Sequence, residues 1–499
     1  MGRQNPSEQR PRKRPNTKNK NTSVVGRTMI KKIYGKPKAS VADPFAQTLS
    51  TNERIQADEA GPSKYSVTEV SDLDHLLDVA VLSSRNFEAE KERSTLLLST
   101  ALEKVVPHQR EFDALREGHD RLTIPRRPSW DSDTTADELQ VLERESFLEW
   151  RRQLAQIEET EQVVLTPFER NLDFWRQLWR VVEQSDVVLF IIDARNPYLF
   201  RCADLERYIK ENNAKLIFLA NKADLVPRLY RSSWKKYFQE VLGAELVYFS
   251  ATHSLEHNLH DIIEDDEGYP TVDSEKMYFE DNGSTDDVTD VPVLTVKGLL
   301  SHLKGLSQSM DWKLSSTDTK EGIFRVGMVG YPNVGKSSAI NALAGRKCVS
   351  VAATPGHTKH FQTIPLSKRL HLVDCPGLVF PAALYSKDEL AVSGILPADT
   401  LRDTVSPAGV IMNRVSLKQI NDVYSTDFTS IPECPYSFLG RIAEQKGLYC
   451  GKGQPDLHRI GRIILKDIFN GRILYCGKPY HHYTGELPEV EACDVGLKI

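Results

Sequence analysis

Gly330-Tyr-Pro-Asn-Val-Gly335-Lys336-Ser337 follows the apolar run Phe324–Val329 and opens a helical pattern from Lys336 to about Leu343. A strand, a glycine-rich loop and a helix in that order make a phosphate cradle. Gly330 and Gly335 let backbone N–H groups, those of Asn333 and Val334 among them, wrap a β-phosphate, and the helix N-terminus adds its dipole. Lys336 is placed to reach the β- and γ-phosphates and Ser337 to ligate Mg2+, with Ser338 beside it in the first turn. Asp374-Cys-Pro-Gly377 ends a second short strand, His371–Val373. A carboxylate there can hold the hydration shell of Mg2+, and the Gly377 N–H can sense the γ-phosphate. Between these motifs, Thr354-Pro-Gly-His-Thr358 occupies the place of a segment that closes over the ion; Thr358 is the expected ligand and Thr354 the alternative. Lys336, Thr358, Asp374 and Gly377 are the candidates for the hydrolytic centre.

Asn221-Lys-Ala-Asp224 ends a further apolar run, Lys215–Ala220. Asp224 can accept hydrogen bonds from N1–H and the 2-amino group of guanine, a pair that adenine does not present. A site built on those bonds rejects ATP steeply. Asn221 is expected to tie the base loop to the phosphate loop, and the Lys222 stem to lie over the ring. Ser250-Ala251-Thr252, after the run Leu246–Phe249, fits a loop whose backbone contacts the guanine O6. The combination therefore selects GTP with Mg2+. Leu378 stands where Ras-like enzymes carry a water-orienting glutamine, so slow intrinsic hydrolysis that depends on a partner is expected. Asn333 either ligates K+ or only shapes its loop.

These motifs impose an unusual order on the chain. An ordinary GTPase presents its phosphate motifs first and its base motifs last; here the fourth and fifth motifs precede the first, second and third. The same sheet forms if the ordinary ends are joined, through residues 253–323, and the chain is opened after Asp374–Gly377. The expected fold class is α/β, a circularly permuted P-loop GTPase domain with a helical N-terminal region and a small, mostly helical C-terminal domain. The expected division is a basic disordered arm at 1–65, a helical region at 66–165, the GTPase domain at 166–380 with an acidic insertion at 261–292, helices at 381–480 and a tail at 481–499. Helical patches include Asp72–Leu82, a capping box at Thr135-x-x-Glu138, and a helix opened by Thr166-Pro-Phe-Glu169 with Thr166 as cap. Phe168, Leu172, Trp175, Trp179 and Val182 would form one apolar face of that second helix, packed on the next domain.

With 27% charged and 40% hydrophobic residues the 499-residue chain has ample material for a core, and no run is long enough for a membrane helix. The seven cysteines form no CxxC pair, which argues against both a zinc site and a disulfide framework and points to cytosol or nucleus. Residues 1–40 hold 12 Lys/Arg against one acid, a composition suited to a nucleic-acid-rich partner, whereas residues 261–290 hold 12 Asp/Glu against one Lys and read as a solvated segment without packed structure.

The chain also resembles the circularly permuted ribosome-assembly GTPases, and most of all the eukaryotic large-subunit GTPases of cytoplasmic late maturation. The residues that carry the resemblance are Ile124-Pro-Arg-Arg-Pro-Ser-Trp130, Phe147-Leu-Glu-Trp-Arg-Arg-Gln-Leu154, Leu165–Trp179 and Asp193-Ala-Arg-Asn-Pro197. Phe200-Arg-Cys202, Ser393-Gly-Ile-Leu-Pro397, Gly453-Gln-Pro-Asp456, Ile464-Leu-Lys-Asp467 and Leu474-Tyr-Cys476 add to it. The resemblance covers roughly residues 120–480. It implies a monomer that binds the precursor of the large ribosomal subunit, through rRNA and ribosomal proteins, and uses GTP to release the export adaptor that accompanies the particle from the nucleus. It also implies a cytoplasmic protein with possible nuclear shuttling. The chain departs from the pattern after residue 480, which is not lysine-rich. Two other readings compete: a GTP-gated binding scaffold with negligible turnover, for which Leu378 speaks, and a nucleolar relative acting earlier, for which Arg10-Pro-Arg-Lys-Arg14 speaks.

Overall fold

A computed structural model of the protein describes residues 122–131, 133–160, 165–256, 262–265, 267–272, 276–279, 291–310, 322–349, 361–382 and 386–477. The basic arm, the patch Asp72–Leu82 and both threonines of Thr354–Thr358 lie outside the described residues. Two helices lead in, α1 (Ala136–Thr160) and α2 (Leu172–Gln184). Strands and helices then alternate: β1 (Val187–Asp193), α3 (Ala203–Glu211), β2 (Lys215–Asn221), α4 (Arg228–Glu240), β3 (Leu246–Phe249) and α5 (Ala251–Glu256). A hairpin of β4 (Ile262–Glu264) and β5 (Pro270–Val272) precedes β6 (Val293–Leu294), α6 (Val296–Ser309), β7 (Phe324–Gly330) and α7 (Lys336–Ala344). An edge strand, β8 (Gln362–Pro365), returns antiparallel against β9 (Leu370–Asp374). Among the described residues only helices follow: α8 (Lys387–Val392), α9 (Ser406–Met412), α10 (Leu417–Tyr424), α11 (Pro435–Gln445) and α12 (Leu457–Phe469).

The seven-stranded sheet runs β6-β3-β2-β1-β7-β9-β8, parallel except at the β8 edge. Continuous apolar runs such as Val187–Ile192 can be satisfied only where both sheet faces are covered, and every residue of β1 is buried. The strand that carries the phosphate loop, β7, sits between β1 of the base half and β9 of the phosphate half. Registers Asp193 with Asn221, Ile191 with Gly330, and Met328 with Asp374 align the strand ends along one edge of the sheet. The sheet is thus that of a P-loop GTPase with its chain order permuted.

The segment before α1 is a structural wedge. Trp150 Nε1 donates to the Thr123 carbonyl at 2.7 Å and Trp179 Nε1 to that of Pro125 at 2.8 Å, while Ile124 N donates to Asp204 at 2.7 Å. Buried Glu143 joins Arg127 at 2.9 Å to Arg176 at 2.7 Å and so binds this segment and α1 to α2. Breaking such a pair strands a buried charge. The capping box at the start of α1 forms, with Thr135 N bonded to Glu138 Oε2 and Glu138 N to Thr135 Oγ1.

Two expectations are corrected. Thr166 does not cap α2; the cap is Asn171, whose side chain accepts from Asp173 N at 3.0 Å. Residues 165–170 stay out of the helix because a distant segment claims their backbone: Thr166 N donates to the Ala382 carbonyl and Glu169 N to that of Val379, both at 2.9 Å. Phe168 is still buried, against Trp150, but from a non-helical position. The acidic segment also has structure of its own. Asp265 closes the β4–β5 turn by accepting from Glu267 N and Tyr269 N, and Lys304 neutralises Asp265 at 2.8 Å and Glu267 at 2.9 Å. Lys304 from α6, and Lys368 at Glu264, let these acids pack rather than merely dissolve.

Candidate nucleotide site

The backbone of the phosphate loop explains its glycines. Gly330 has φ +158° and a Cβ there would lie 2.4 Å from the Ile191 carbonyl oxygen; Gly335 has φ +94° and a Cβ there would lie 2.2 Å from Asn221 Nδ2. Neither position accepts a side chain. Asn333, also at positive φ, donates from Nδ2 to the Gly394 carbonyl at 2.7 Å, just after α8. The structure therefore shows Asn333 as a loop anchor with its Oδ1 uncommitted by that bond.

Lys336 at the head of α7 is buried, and its Nζ donates to the carbonyls of Gly330 at 2.9 Å and Tyr331 at 2.8 Å. Burial pushes its pKa down to about 8, against the opposing pull of Asp374. The reciprocal effect holds at Asp374, whose carboxyl burial raises to about 6 while Lys336 and Gln362 pull it back. Asp374 Oδ2 is buried without a hydrogen-bond partner. An orphaned carboxylate oxygen beside a phosphate loop suits a divalent ion and its water shell. Ser337 and Asp374 are the described residues that would hold Mg2+, and such an ion would supply positive charge for the phosphate oxygens. Gly377 approaches so closely that a Cβ there would lie 2.9 Å from Lys336 Nζ and 3.1 Å from Pro332.

The base half meets the phosphate half through Asn221. Its Nδ2 donates to the Val334 carbonyl at 2.9 Å and its Oδ1 accepts from Ala251 N at 3.1 Å. Ser250 Oγ donates to Asp224 Oδ1 at 2.6 Å and so orients that carboxylate. Lys222 is in the left-handed conformation at φ 61°, and its ammonium lies 3.0 Å from Asp193 Oδ2 and 4.4 Å from the centre of the Phe469 ring. Burial lowers the Lys222 pKa, and Asp193 offsets this in part.

The site thus brings together Asn221, Lys222, Asp224, Ser250, Ala251, Gly330, Asn333, Val334, Gly335, Lys336, Ser337, Ser338, Asp374 and Gly377 around the same sheet edge; Thr358 lies outside the described residues. Sequence reasoning passed over the supports. Asp193 sits at the end of β1 beneath Lys222 and is held by Arg195 at 2.7 Å, while Phe380 packs on Tyr331 of the phosphate loop and on Trp175 of α2. The Asp193-Ala-Arg run at a strand end was the available signal for the first; nothing local marks the second. Leu378 is fully buried, which explains why an apolar residue follows Gly377.

A family model described as "50S ribosome-binding GTPase" matches residues 325–422. The chain is 41% identical over 430 residues to "Large subunit GTPase 1" of Schizosaccharomyces pombe, covering 83% of this chain and 68% of that one. It is 37% identical to the human "Large subunit GTPase 1 homolog" (83% and 76% covered) and 37% identical to the Saccharomyces cerevisiae protein (93% and 76%). Among solved structures it is similar to GDP-bound TM YlqF, with 18% identity and a TM-score of 0.38 over 61% of this chain and 99% of that one.

Proposed function

The chain belongs to the Large subunit GTPase 1 family, and from that premise we propose that this GTPase binds the late precursor of the large ribosomal subunit and uses GTP binding and hydrolysis to drive release of the nuclear-export adaptor and final cytoplasmic maturation. Its place of work on this reading is the cytoplasm, with nuclear shuttling. The observation that carries a switch, rather than a passive tether, is the path of the chain after Gly377. Residues 379–382 are hydrogen-bonded to 166–169 on one side and lead into the C-terminal helices on the other. A change at the γ-phosphate sensed by Gly377 then reaches both flanking regions.

The residues divide the work. Asp224, oriented by Ser250, reads guanine; Asn221 holds base loop and phosphate loop in register; Lys336 meets phosphate charge, and Ser337, Asp374 and Thr358 hold Mg2+. Buried Leu378 cannot orient a water, so hydrolysis on this reading is slow until the ribosomal particle supplies or positions a polar group. A K+ ion bound at Asn333 would be a separate source of charge at that point.

Gradient co-sedimentation with large subunits in GTP, GDP and a non-hydrolysable analogue tests the reading, alongside phosphate release with and without subunits. The expected result is retention with the analogue, loss with GDP, and turnover stimulated by subunits. Equal association in every nucleotide state, or no stimulation, would sink it.

A further inference from the structure

One aromatic ring of the C-terminal helices touches the base loop directly and reaches the phosphate loop through Gly394. Phe469, the last residue of α12, carries the Lys222 ammonium 4.4 Å from its ring centre. The ring also packs onto Gly394, where a Cβ would lie 2.6 Å from Phe469 Cδ2. The Gly394 carbonyl in turn accepts from Asn333 of the phosphate loop at 2.7 Å. The base loop therefore meets this side chain directly, and the phosphate loop meets it at one remove, through Gly394.

The backbone around Phe469 is fastened to the same region. Arg195 donates to the Ile468 carbonyl at 2.6 Å while its other nitrogens hold Asp193, the partner of Lys222. Gly477 N donates to the Arg195 carbonyl at 2.7 Å, and Trp234 Nε1 donates to the Gly477 carbonyl at 2.9 Å. Gly471 presses on Leu225, directly after Asp224. An ammonium with one carboxylate partner and one aromatic face is fixed in direction only while both are present.

We propose that Phe469 is a positioning residue for guanine nucleotide: it seats Lys222 and, through Gly394, Asn333, so that nucleotide affinity is coupled to the docking of the end of α12. The inference rests on the reading of Asn221–Asp224 as the base site. Coupling is reciprocal, so bound nucleotide tightens the seating of residues 468–477, and a partner that draws those residues away speeds nucleotide release. The C-terminal helices then act as a built-in brake on exchange.

Fluorescent GDP and GTP binding to the full chain tests this. Phe469→Ala is expected to weaken both nucleotides about tenfold, chiefly by faster dissociation, and Phe469→Tyr, which keeps the ring, to restore them. If the ring acts through Lys222, Lys222→Ala combined with Phe469→Ala loses less than the two separate effects together. Hydrogen exchange of the unmodified protein supplies an arm that needs no variant: GDP should increase protection at 468–477. A folded Phe469→Ala protein that binds like the parent, or unchanged exchange at 468–477 on adding GDP, overturns the proposal. Asp224→Ala separates the layers. If it abolishes binding while Phe469→Ala does nothing, only this inference falls; if it leaves binding intact, the base-site reading falls and takes this inference with it.

Discussion

Asn221 Nδ2 donates to the Val334 carbonyl across 2.9 Å, so the loop that would read the base is bonded to the loop that would hold the phosphates. Asn221 is itself buried and accepts from Ala251 N as well. Replacing it with alanine leaves a buried carbonyl and a buried N–H without partners. Asn221→Ala should therefore destabilise the protein by about 2–4 kcal/mol and weaken GDP and GTP together. Denaturant unfolding with and without GDP measures both, and an unchanged midpoint would show that the two loops hold their places independently.

On the proposed reading Asp224 offers its carboxylate to the base edge, steadied by Ser250 at 2.6 Å. A carboxamide in its place would present one acceptor and one donor, which matches a 2-oxo rather than a 2-amino purine. Asp224→Asn is expected to lose guanine nucleotides by at least about a hundredfold and to gain xanthosine nucleotides. Competition binding with GDP, XDP and IDP reads this directly; retention of the parental order would remove Asp224 from base recognition.

Lys336 has its pKa lowered to about 8 by burial. The protonated form is the one that phosphate favours, so its pKa rises when nucleotide binds. Magnesium-free GDP affinity is then flat below about pH 8 and falls as pH rises through that value, by up to about tenfold per unit. The free fold, in contrast, gains stability from pH 8 towards the ordinary lysine value, because it favours the neutral amine. A titration of fluorescent GDP affinity from pH 6 to pH 9.5 checks the first trend, and Lys336→Ala should abolish it. A flat profile in the parent would mean that the ammonium does not meet phosphate.

Thr166 Oγ1 donates to the Ala382 carbonyl at 3.1 Å and accepts from Ala382 N at 3.2 Å, within a buried pairing. Thr166→Val keeps the volume and removes both bonds. The expected cost is about 1–3 kcal/mol, with faster amide exchange at 379–382 and little at β1. Exchange that stays slow at 379–382 would show that residues 166–169 do not restrain the segment after Gly377.

The strands of the sheet that carry motifs were legible because each is a largely apolar run ending in a functional residue. β8 was not, since three of its four residues are exposed and its pairing with β9 is supplied by tertiary context. Thr166-Pro-Phe-Glu169 has every local sign of a helix start, yet Val379 and Ala382 take its backbone and the helix waits for Asn171. A local pattern yields when a segment 216 positions away offers the same hydrogen bonds. Lys222 and Asn333 could be placed on their loops from sequence, but not aimed. Their directions are set by Asp193, Phe469 and Gly394, none of which is near them in the base and phosphate motifs.

The position of β7 between β1 and β9 has a consequence for how the protein is made. Synthesis delivers the base half first, as β1, β2 and β3, and a chain leaving the ribosome can fold such a unit before the rest exists. The phosphate-loop strand β7 comes later, Asp374 later still, and Phe469 near the end of the described residues. No nascent chain that stops short of Asp374 contains both halves of the pocket. A protein whose relatives are named for the large subunit thus carries a nucleotide pocket that neither half of its own sheet can form alone.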